Sequence, residues 1–435
     1  MPYSFRIALI LLVFGSLFFG LNLYFYRRSA AVFALSNRNK TILGTTLVLG
    51  ALCTIGPRVL ERMLPTEASE SLALFGSSIQ MAVLLTSGFL FPIELLRMAR
   101  GLAVRVKRMW VTRFRDDSLG HPRVEDTPSS DHARAGDVSE EAPEPLYLKP
   151  SSSETTPRRD FLMRTAWGGG LLLGTSQSIY GSAFGRHDYV METVPVAMPN
   201  LPSSFHGYSL IQLSDIHFGT FVGEAELRVA EDFVRRAKPD LVVLTGDLVD
   251  HDPAFAPYVA RLVQRLTDYA RDGILAVPGN HDYYSGVEVV LGELERAGAS
   301  VLRNASTLID RGTQRLALLG VDDVWASRSG ATKGPDLDRA LQGVDEETTK
   351  LLLCHNPVFF PTAAGHVDLQ LSGHTHGGQV APFFNPADIV LPYGYVRGLY
   401  RRAGSQLYVN RGFGTAGPPT RIGSPPEITK IVLTT

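Results

Sequence analysis

Five short segments in the second half of the sequence contain aspartate, asparagine and histidine, whose side chains bind metal ions and transfer protons. In chain order they are Leu213–His217, Thr245–Asp247, Pro278–Asp282, Cys354–His355 and Ser372–Gly378. The intervals from Asp215 to Asp247 and from Asp247 to Asn280 are 32 and 33 residues, about the length of one β-α-β unit. This spacing predicts that the three side chains lie at one edge of a sheet, where α/β proteins bind ligands. We interpret Asp247 as a carboxylate that bridges two metal ions.

The residues before Asp247 predict the element that positions it. Leu241–Thr245 begins with four apolar residues, two of them β-branched, which is typical of a strand buried on both faces of a parallel sheet. Further strands are predicted at Tyr208–Ser214, Ile274–Val277, Leu316–Val321, Lys350–Cys354, Val367–Leu371 and Ile428–Thr434. Helices are predicted between them at 224–237, 255–270 and 287–297. The alternation of strand and helix indicates an α/β fold around a largely buried sheet.

The order of these motifs is Asp-x-His, Gly-Asp, Gly-Asn-His-Asp, an isolated histidine and Gly-His-x-His, and it resembles that of the calcineurin-like metallophosphoesterases. Within this family the chain is most similar to the membrane-associated bacterial branch that includes lipid-precursor pyrophosphatases. The resemblance spans residues 208–433, and the composition becomes globular from about residue 187, so we predict that residues 187–435 form the catalytic domain. The fold that it implies is a metallophosphoesterase β-sandwich flanked by helices.

The resemblance also implies two divalent metal ions as cofactors. The ligands that it gives for the first ion are Asp215, His217, His376 and the shared Asp247. The ligands that it gives for the second ion are Asp247, Asn280, His355 and His374. Because these ligands are all nitrogen or oxygen and several are histidines, we expect Mn, Fe or Zn rather than Mg.

Two further residues receive catalytic roles from the resemblance. His281 is not expected to bind metal and would donate a hydrogen bond or proton to the leaving oxygen. Asp250 stands where related phosphatases have an aspartate that orients this histidine. In the protein Ser/Thr phosphatases Arg-Gly follows that aspartate, whereas His251 and Asp252 follow it here. This departure argues against a phosphoprotein substrate.

Residues 410–426, rich in glycine and proline, resemble the C-terminal signature of the same branch. Within them, Arg411 and Arg421 are candidates for bidentate hydrogen bonds to a substrate phosphate, with ordinary surface charge as the alternative. Residues 383–402 combine aromatic side chains with several arginines. This pattern fits either contact with lipid head groups or an ordinary loop and hairpin, which is the simpler interpretation.

The sequence of residues 1–115 predicts a membrane anchor of three transmembrane helices, followed by a basic juxtamembrane segment. Apolar runs at about 7–26, 41–60 and 72–96 are long enough to cross a bilayer, and they lack the amphipathic pattern of soluble helices. Lysine and arginine are concentrated between the first two runs and over residues 97–115. The positive-inside rule therefore places both of these segments in the cytoplasm. The basic segment either lies along anionic lipid or only fixes the topology.

Residues 116–160 are rich in serine, proline and acidic residues and poor in aromatic residues, which predicts a disordered cytoplasmic linker. Residues 161–186 form a fourth apolar run, preceded by a pair of arginines. This run is either a fourth transmembrane helix or a twin-arginine-like signal, although Pro157 and Met163 depart from the usual twin-arginine pattern. Both alternatives place the catalytic domain on the extracytoplasmic side of the cytoplasmic membrane, in a multi-pass protein.

The composition argues against several other classes of protein. A net charge of −1 gives no basic footprint for nucleic acid, and Cys53 and Cys354 are too few for a disulfide framework or a thiolate zinc site. We therefore predict an enzyme, a dinuclear metal-dependent phosphodiesterase or phosphatase that hydrolyses phosphoester or pyrophosphate bonds. Its expected partners are membrane lipid and a phosphorylated lipid or small-molecule substrate, and no protein partner can be inferred from the sequence. The alternative is a membrane-anchored binding or sensory module that keeps the fold without turnover.

Overall fold

The structure, a computed structural model, describes residues 3–59, 66–116, 157–330 and 332–435. The chain divides into two compact units. The first unit comprises Met1–Ile42 and Val83–Leu173, and the second comprises Leu43–Ala82 and Gly174–Thr435. Most of the linker predicted at 116–160 lies outside the described residues, so the segment boundaries drawn from the sequence stay predictions.

Four long helices precede the strands: α1 Tyr3–Val32, α2 Asn37–Val59, α3 Thr66–Asp116 and α4 Pro157–Ala183. Among the described residues, one stretch, Ala68–Lys107, is long and apolar enough to cross a membrane. It contains 40 residues and has a mean hydropathy of 1.7. The four membrane crossings expected from the sequence stay a prediction. α3 also continues through the basic segment, because residues 97–116 are mostly strong helix formers such as Ala, Leu, Lys, Arg and Met.

Within the first unit, α1, α3 and α4 meet at an aromatic and a charged contact. The ring of Trp167 in α4 is buried and lies 6.3 and 6.1 Å, between centroids, from Tyr24 and Phe25 of α1. Nε of Arg28 donates to Oε1 of Glu94 in α3 at 3.1 Å. Because Glu94 is buried, this partner compensates the loss of water around its carboxylate.

The second unit contains two six-stranded sheets. The strands are β1 Val190–Ala197, β2 Ser209–Leu213, β3 Leu241–Thr245, β4 Ile274–Val277, β5 Ser300–Val301, β6 Ala305–Arg311, β7 Gln314–Gly320, β8 Thr349–Leu353, β9 Leu369–Ser372, β10 Gly398–Arg402, β11 Ser405–Val409 and β12 Glu427–Thr434. The first sheet has the order β1-β12-β2-β3-β4-β5, and the second has the order β10-β11-β9-β8-β7-β6. Strands β2, β3 and β4 are parallel, as are β7, β8 and β9. Their carboxyl ends therefore lie along one edge of each sheet.

Shorter helices cover the outer faces of the sheets. They are α5 Glu224–Ala237, α6 Ala256–Leu266, α7 Asn280–Ser285, α8 Val287–Arg296, α9 Ala326–Ser329, α10 Leu337–Ala340 and α11 Phe360–Ala363, whereas α12 Ala387–Val390 is mostly exposed. Leu241 of the first sheet and Leu351 of the second belong to one buried cluster between the sheets. Full burial of a leucine side chain contributes about 1.5–3 kcal/mol. The β-sandwich flanked by helices that the sequence predicted is confirmed.

Candidate metal centre

The predicted metal ligands lie just beyond the carboxyl ends of five strands. They are Asp215 and His217 after β2, Asp247 after β3, Asn280 after β4, His355 after β8, and His374 and His376 after β9. Five of them have a positive backbone φ, from 49° to 72°: Asp215, His217, Asp247, His374 and His376. A positive φ is unfavourable for residues other than glycine, and such residues cluster at functional sites. The backbone therefore stores strain where it presents these side chains.

Two glycines let the chain approach these ligands closely. A Cβ atom on Gly279 would overlap the carboxylate of Asp247, and a Cβ atom on Gly373 would overlap that of Asp215. Any larger residue at either position would displace a predicted ligand. The glycines of the Gly-Asn-His-Asp and Gly-His-x-His motifs are therefore required by the geometry of the site.

The side chains predicted for the first ion converge on one point. Asp215, His217 and His376 each place one ligand atom within 4.8 Å of the others. Nε2 of His376 is 3.1 Å from Nε2 of His217 and 3.4 Å from Oδ1 of Asp215. Oδ2 of Asp247 is 3.6 Å from Nε2 of His217. A cation among these atoms would receive imidazole nitrogens and carboxylate oxygens, a set that suits first-row transition metals.

The carboxylate of Asp247 also reaches the side chains predicted for the second ion. Asp247, His355 and His374 each place one ligand atom within 4.8 Å of the others. Nε2 of His355 is 3.2 Å from Oδ2 of Asp247 and 3.2 Å from Nδ1 of His374. Oδ1 of Asn280 is buried and has no hydrogen-bond partner among the described residues, an unfavourable state unless a ligand satisfies it. The side chains therefore fit a second cation, and Oδ2 of Asp247 lies between the two groups, 3.6 Å from Nε2 of His217 and 3.2 Å from Nε2 of His355.

Hydrogen bonds behind the ligands fix their orientation. Nδ1–H of His355 donates to the carbonyl of Thr245 at 2.8 Å, which leaves Nε2 free to bind metal. Asp282 accepts from the backbone N–H groups of Asp247 and Gly279 at 2.9 and 2.8 Å. Sequence reasoning gave Asp282 no role. A sequence signal that could have identified Asp282 is its position three residues after Gly279, where a carboxylate can cap the start of a helix.

The buried charges of the site depend on one another. Burial opposes ionisation of Asp247, but His355 and His217 outweigh this effect and hold the pKa of Asp247 well below its usual range. Burial also opposes the charge of His355, but Asp247 and Asp215 raise its pKa well above the usual value. Burial and the neighbouring His355 lower the pKa of His374 to about 3. Because a metal binds only the unprotonated nitrogen, an ion that binds His355 must displace a proton.

His281 lies beside the predicted ligands, and one of its ring nitrogens is within 4.8 Å of ligand atoms of His217 and Asp247. Nδ1–H of His281 donates to the backbone carbonyl of Asp250 at 2.6 Å, while the carboxylate of Asp250 is 3.6 Å away. That carboxylate is 3.5 Å from Nδ1 of His217 and 3.1 Å from Nδ1 of His251. The main chain of Asp250 thus makes the contact that orients His281. Asp250 is in the predicted place, and its catalytic role stays a prediction.

The two arginines predicted to hold a substrate phosphate both have partners within the protein. Arg421 is 1% exposed, and its guanidinium donates to the carbonyls of Arg411 and Gly412 at 2.8 and 3.0 Å. Nη2 of Arg421 also lies 3.1 Å from Nδ1 of His376. Nη2 of Arg411 donates to Oε1 of Glu192 at 2.7 Å. Their role in substrate binding stays a prediction, and the contacts of Arg421 indicate that it holds the chain around His376.

A β-sandwich with aspartate, asparagine and histidine at adjoining strand ends is the arrangement of a metal-dependent phosphoesterase domain. Residues 208–378 match the family described as calcineurin-like phosphoesterase. An uncharacterized metallophosphoesterase of Bacillus subtilis, YkuE, is 33% identical over 288 residues, which cover 63% of this chain and 97% of that protein. The chain therefore belongs to the calcineurin-like metallophosphoesterase family, and the resemblance seen in the sequence is confirmed at this level.

Two further relatives differ in how much of their length is matched. An uncharacterized metallophosphoesterase of Aquifex aeolicus is 36% identical over 225 residues, covering 52% of this chain and 84% of that protein. A transmembrane protein with metallophosphoesterase domain from Danio rerio is 33% identical over 272 residues, covering 60% of this chain and 61% of that protein. The narrower similarity to lipid-precursor pyrophosphatases stays a prediction.

Proposed function

We propose that this protein hydrolyses phosphoester or pyrophosphate bonds with two divalent metal ions, and that its substrate is lipid-linked or another envelope compound. The observation that carries the proposal is the position of Asp247, whose Oδ2 is 3.6 Å from Nε2 of His217 and 3.2 Å from Nε2 of His355. A carboxylate in this position could contact two ions, which together would act on one phosphate. Mn, Fe or Zn suits a site with this many histidines.

The side chains of the site divide into ligands and a proton donor. The ligands are Asp215, His217 and His376 for one ion, Asn280, His355 and His374 for the other, and Asp247 for both. When bound, the ions supply Lewis acidity that activates water and neutralises the phosphoryl oxygens. In the proposed step a water would bond to phosphorus and release one proton to solvent, the bond from phosphorus to the leaving oxygen would break, and that oxygen would take a proton from Nε2 of His281. The carbonyl of Asp250 holds Nδ1–H of His281 at 2.6 Å and so keeps Nε2 available for this transfer.

We further propose that the chain crosses the cytoplasmic membrane several times and carries the catalytic domain outside. The proposal is supported by the long helices α1–α4, by the apolar stretch Ala68–Lys107, and by the lysines and arginines that flank the apolar runs. The N–H of Arg421 donates to the carbonyl of Gly181 in α4 at 3.1 Å. Because α4 is thus joined to the catalytic domain, we favour a retained fourth membrane helix over a cleaved twin-arginine signal.

A turnover screen tests the proposed hydrolysis. Full-length protein in detergent is freed of metal by chelation and assayed with Mn, Fe or Zn on soluble monoester, diester and pyrophosphate substrates. We expect hydrolysis only with added metal and its loss when the chelator is restored. His366→Ala, which removes an exposed histidine outside the site, is the matched control and should keep full activity. A folded, metal-loaded chain that hydrolyses none of these substrates would favour the binding or sensory module.

A further inference from the structure

An exposed apolar segment lies next to the metal centre. Residues 381–395, called the apolar loop below, contain five large apolar side chains that are each 64–78% exposed: Phe383, Phe384, Ile389, Val390 and Tyr393. Two of these side chains belong to the short helix α12. A cluster of large apolar side chains in contact with water marks a surface that binds a partner or a membrane.

Polar contacts at its base hold the apolar loop in this shape. Nδ2 of Asn385 donates to the carbonyl of Gly377 at 2.9 Å, and its Oδ1 accepts from the N–H of Ala387 at 3.1 Å. Nη1 of Arg397 donates to the same carbonyl of Gly377 at 3.2 Å. Because Gly377 directly follows the predicted ligand His376, the base of the loop is fixed one residue away from the metal centre. A partner or membrane that binds the apolar loop would therefore lie beside the metal centre.

The base of the apolar loop is also joined to the end of α4. The segment 420–422 lies between them, since the N–H of Arg421 donates to the carbonyl of Gly181 at 3.1 Å and the N–H of Ala381 donates to the carbonyl of Ile422 at 2.7 Å. Exposed apolar side chains at this end of α4 and just after it are Ile179, Tyr180 and Phe184. Two apolar surfaces, one on the loop and one on α4, are thus connected through one short segment.

The same end of α4 packs against the start of the stretch that is apolar enough to cross a membrane. Oγ of Ser178 donates to the carbonyl of Ser78 at 2.7 Å, and Nη2 of Arg186 lies 3.4 Å from Oε1 of Glu70. Glu70 is near the beginning of that stretch, Ala68–Lys107. The contacts therefore bring the start of a membrane-crossing segment, the end of α4 and the base of the apolar loop into one connected region.

We propose that the apolar loop inserts into the surface of the membrane that anchors the chain, so that the metal centre faces the lipid head groups. Three exposed arginines that follow the loop, Arg397, Arg401 and Arg402, would meet anionic head groups. Aromatic and aliphatic side chains beside arginines are the composition of segments that lie in the interface. The substrate class is then a phosphoester or pyrophosphate of an acylated lipid whose acyl chains stay in the bilayer, an inference that rests on the proposed function.

Quenching by nitroxide-labelled lipid tests the location of the apolar loop. Full-length protein with Cys53→Ser is placed in nanodiscs of phosphatidylglycerol and phosphatidylethanolamine, and an environment-sensitive fluorophore is attached at Ile389→Cys. Val289→Cys, an exposed apolar position on α8, is the matched control, and the native Cys354 is buried. We expect quenching at position 389 to exceed that at position 289 by about threefold or more. Equal quenching, or a shielded label that lipid does not quench because a second copy or another protein covers it, would overturn the proposal.

A ratio of two rates tests the substrate class. Hydrolysis of diacylglycerol pyrophosphate in the same nanodiscs is divided by hydrolysis of soluble bis(p-nitrophenyl) phosphate, for wild type, for Ile389→Asp with Val390→Asp, and for Val289→Asp. We expect the ratio to fall about tenfold in the loop variant only. An unchanged ratio, or hydrolysis of the soluble substrate alone by the wild type, would overturn the lipid substrate. If the wild type hydrolyses neither compound, the proposed function fails, while the quenching result still decides where the loop lies.

Discussion

Asp247 is the residue that the proposed site shares between its two ions. Its Oδ2 faces His355 and His217, and its Oδ1 accepts from the N–H of His281 at 2.8 Å. Asp247→Asn removes one negative charge from the shared position, so we expect weaker metal binding and a lower melting temperature. Loss of a ligand present at 100 times its dissociation constant lowers the free energy of unfolding by about 2.7 kcal/mol. Calorimetry with and without chelator measures the melting temperatures. Equal melting temperatures of wild type and variant in saturating metal would contradict the proposal that Asp247 binds both ions.

His281 is expected to act on the leaving group without binding metal. His281→Ala should therefore keep both ions and lower the turnover rate by roughly 10²–10⁴, the usual contribution of a positioned acid. The loss should shrink for substrates with acidic leaving groups such as nitrophenols, because their leaving oxygen needs little protonation. Loss of a metal ion in this variant, or an equal rate loss for good and poor leaving groups, would show that His281 is not the acid.

Asp250→Asn separates the main-chain contact of this residue from its side-chain contact. The variant keeps the carbonyl that holds Nδ1–H of His281 at 2.6 Å, so we expect a smaller rate loss than for His281→Ala. The carboxylate that it removes lies 3.5 Å from Nδ1 of His217, and the loss of such a supporting group lowers metal affinity or activity about 10–100-fold. Titration of metal into the purified variant measures its metal affinity. A rate loss as large as that of His281→Ala would contradict the supporting role assigned to the carboxylate of Asp250.

The protonation of His355 predicts how metal binding depends on pH. Burial opposes its charge, but the carboxylates of Asp247 and Asp215 raise its pKa well above the usual value, so the metal-free imidazole holds its proton more tightly than a free histidine does. Because protons compete with metal for Nε2, apparent metal affinity should rise from about pH 6 to about pH 8 and binding should release protons. Calorimetric titration in buffers of different ionisation enthalpy measures the release. Affinity that stays constant or falls as the pH rises would contradict this.

At the scale of elements, the strands that carry the ligands were the most predictable. β3 and β4 begin and end where the sequence predicted, at Leu241–Thr245 and Ile274–Val277. These strands are buried on both faces, so apolar side chains occupy successive positions and the pattern is visible in the sequence. The strands and their spacing predicted that Asp215, Asp247 and Asn280 lie at one sheet edge, whereas the full set of ligands is what the family resemblance implies.

The edge strand β1 and the hairpin strand β10 were not predicted, because their sequences lack the pattern of a buried strand. β1 contains Pro195 and lies at the edge of its sheet, a position where the missing N–H is tolerated. β10 is mostly exposed and ends in two arginines, so it has no apolar run to mark it. The contact of Asp282 with the N–H of Asp247, and that of Arg421 with the carbonyl of Arg411, are made only when the chain folds. No local sequence pattern encodes such contacts.

At the scale of the whole molecule, the membrane topology is the prediction with the widest consequence. The distribution of lysine and arginine places the segment after α3 in the cytoplasm and the catalytic domain outside. Reporter fusions in full-length context should therefore give a cytoplasmic signal after residue 130 and an extracytoplasmic signal after residue 200. The opposite signal at either position would exclude this arrangement.

The central claim is that two metal ions share the carboxylate of Asp247, and metal stoichiometry tests it most directly. Full-length protein is purified, shown to be folded by circular dichroism, equilibrated with Mn, Fe or Zn, and analysed for bound metal by elemental analysis. The groups Asp215, His217, His376 and Asp247, His355, His374, with Oδ2 of Asp247 also 3.6 Å from Nε2 of His217, predict about two ions per chain for the wild type. A fully folded chain that binds no metal, or that binds one ion and no more, would contradict the dinuclear site.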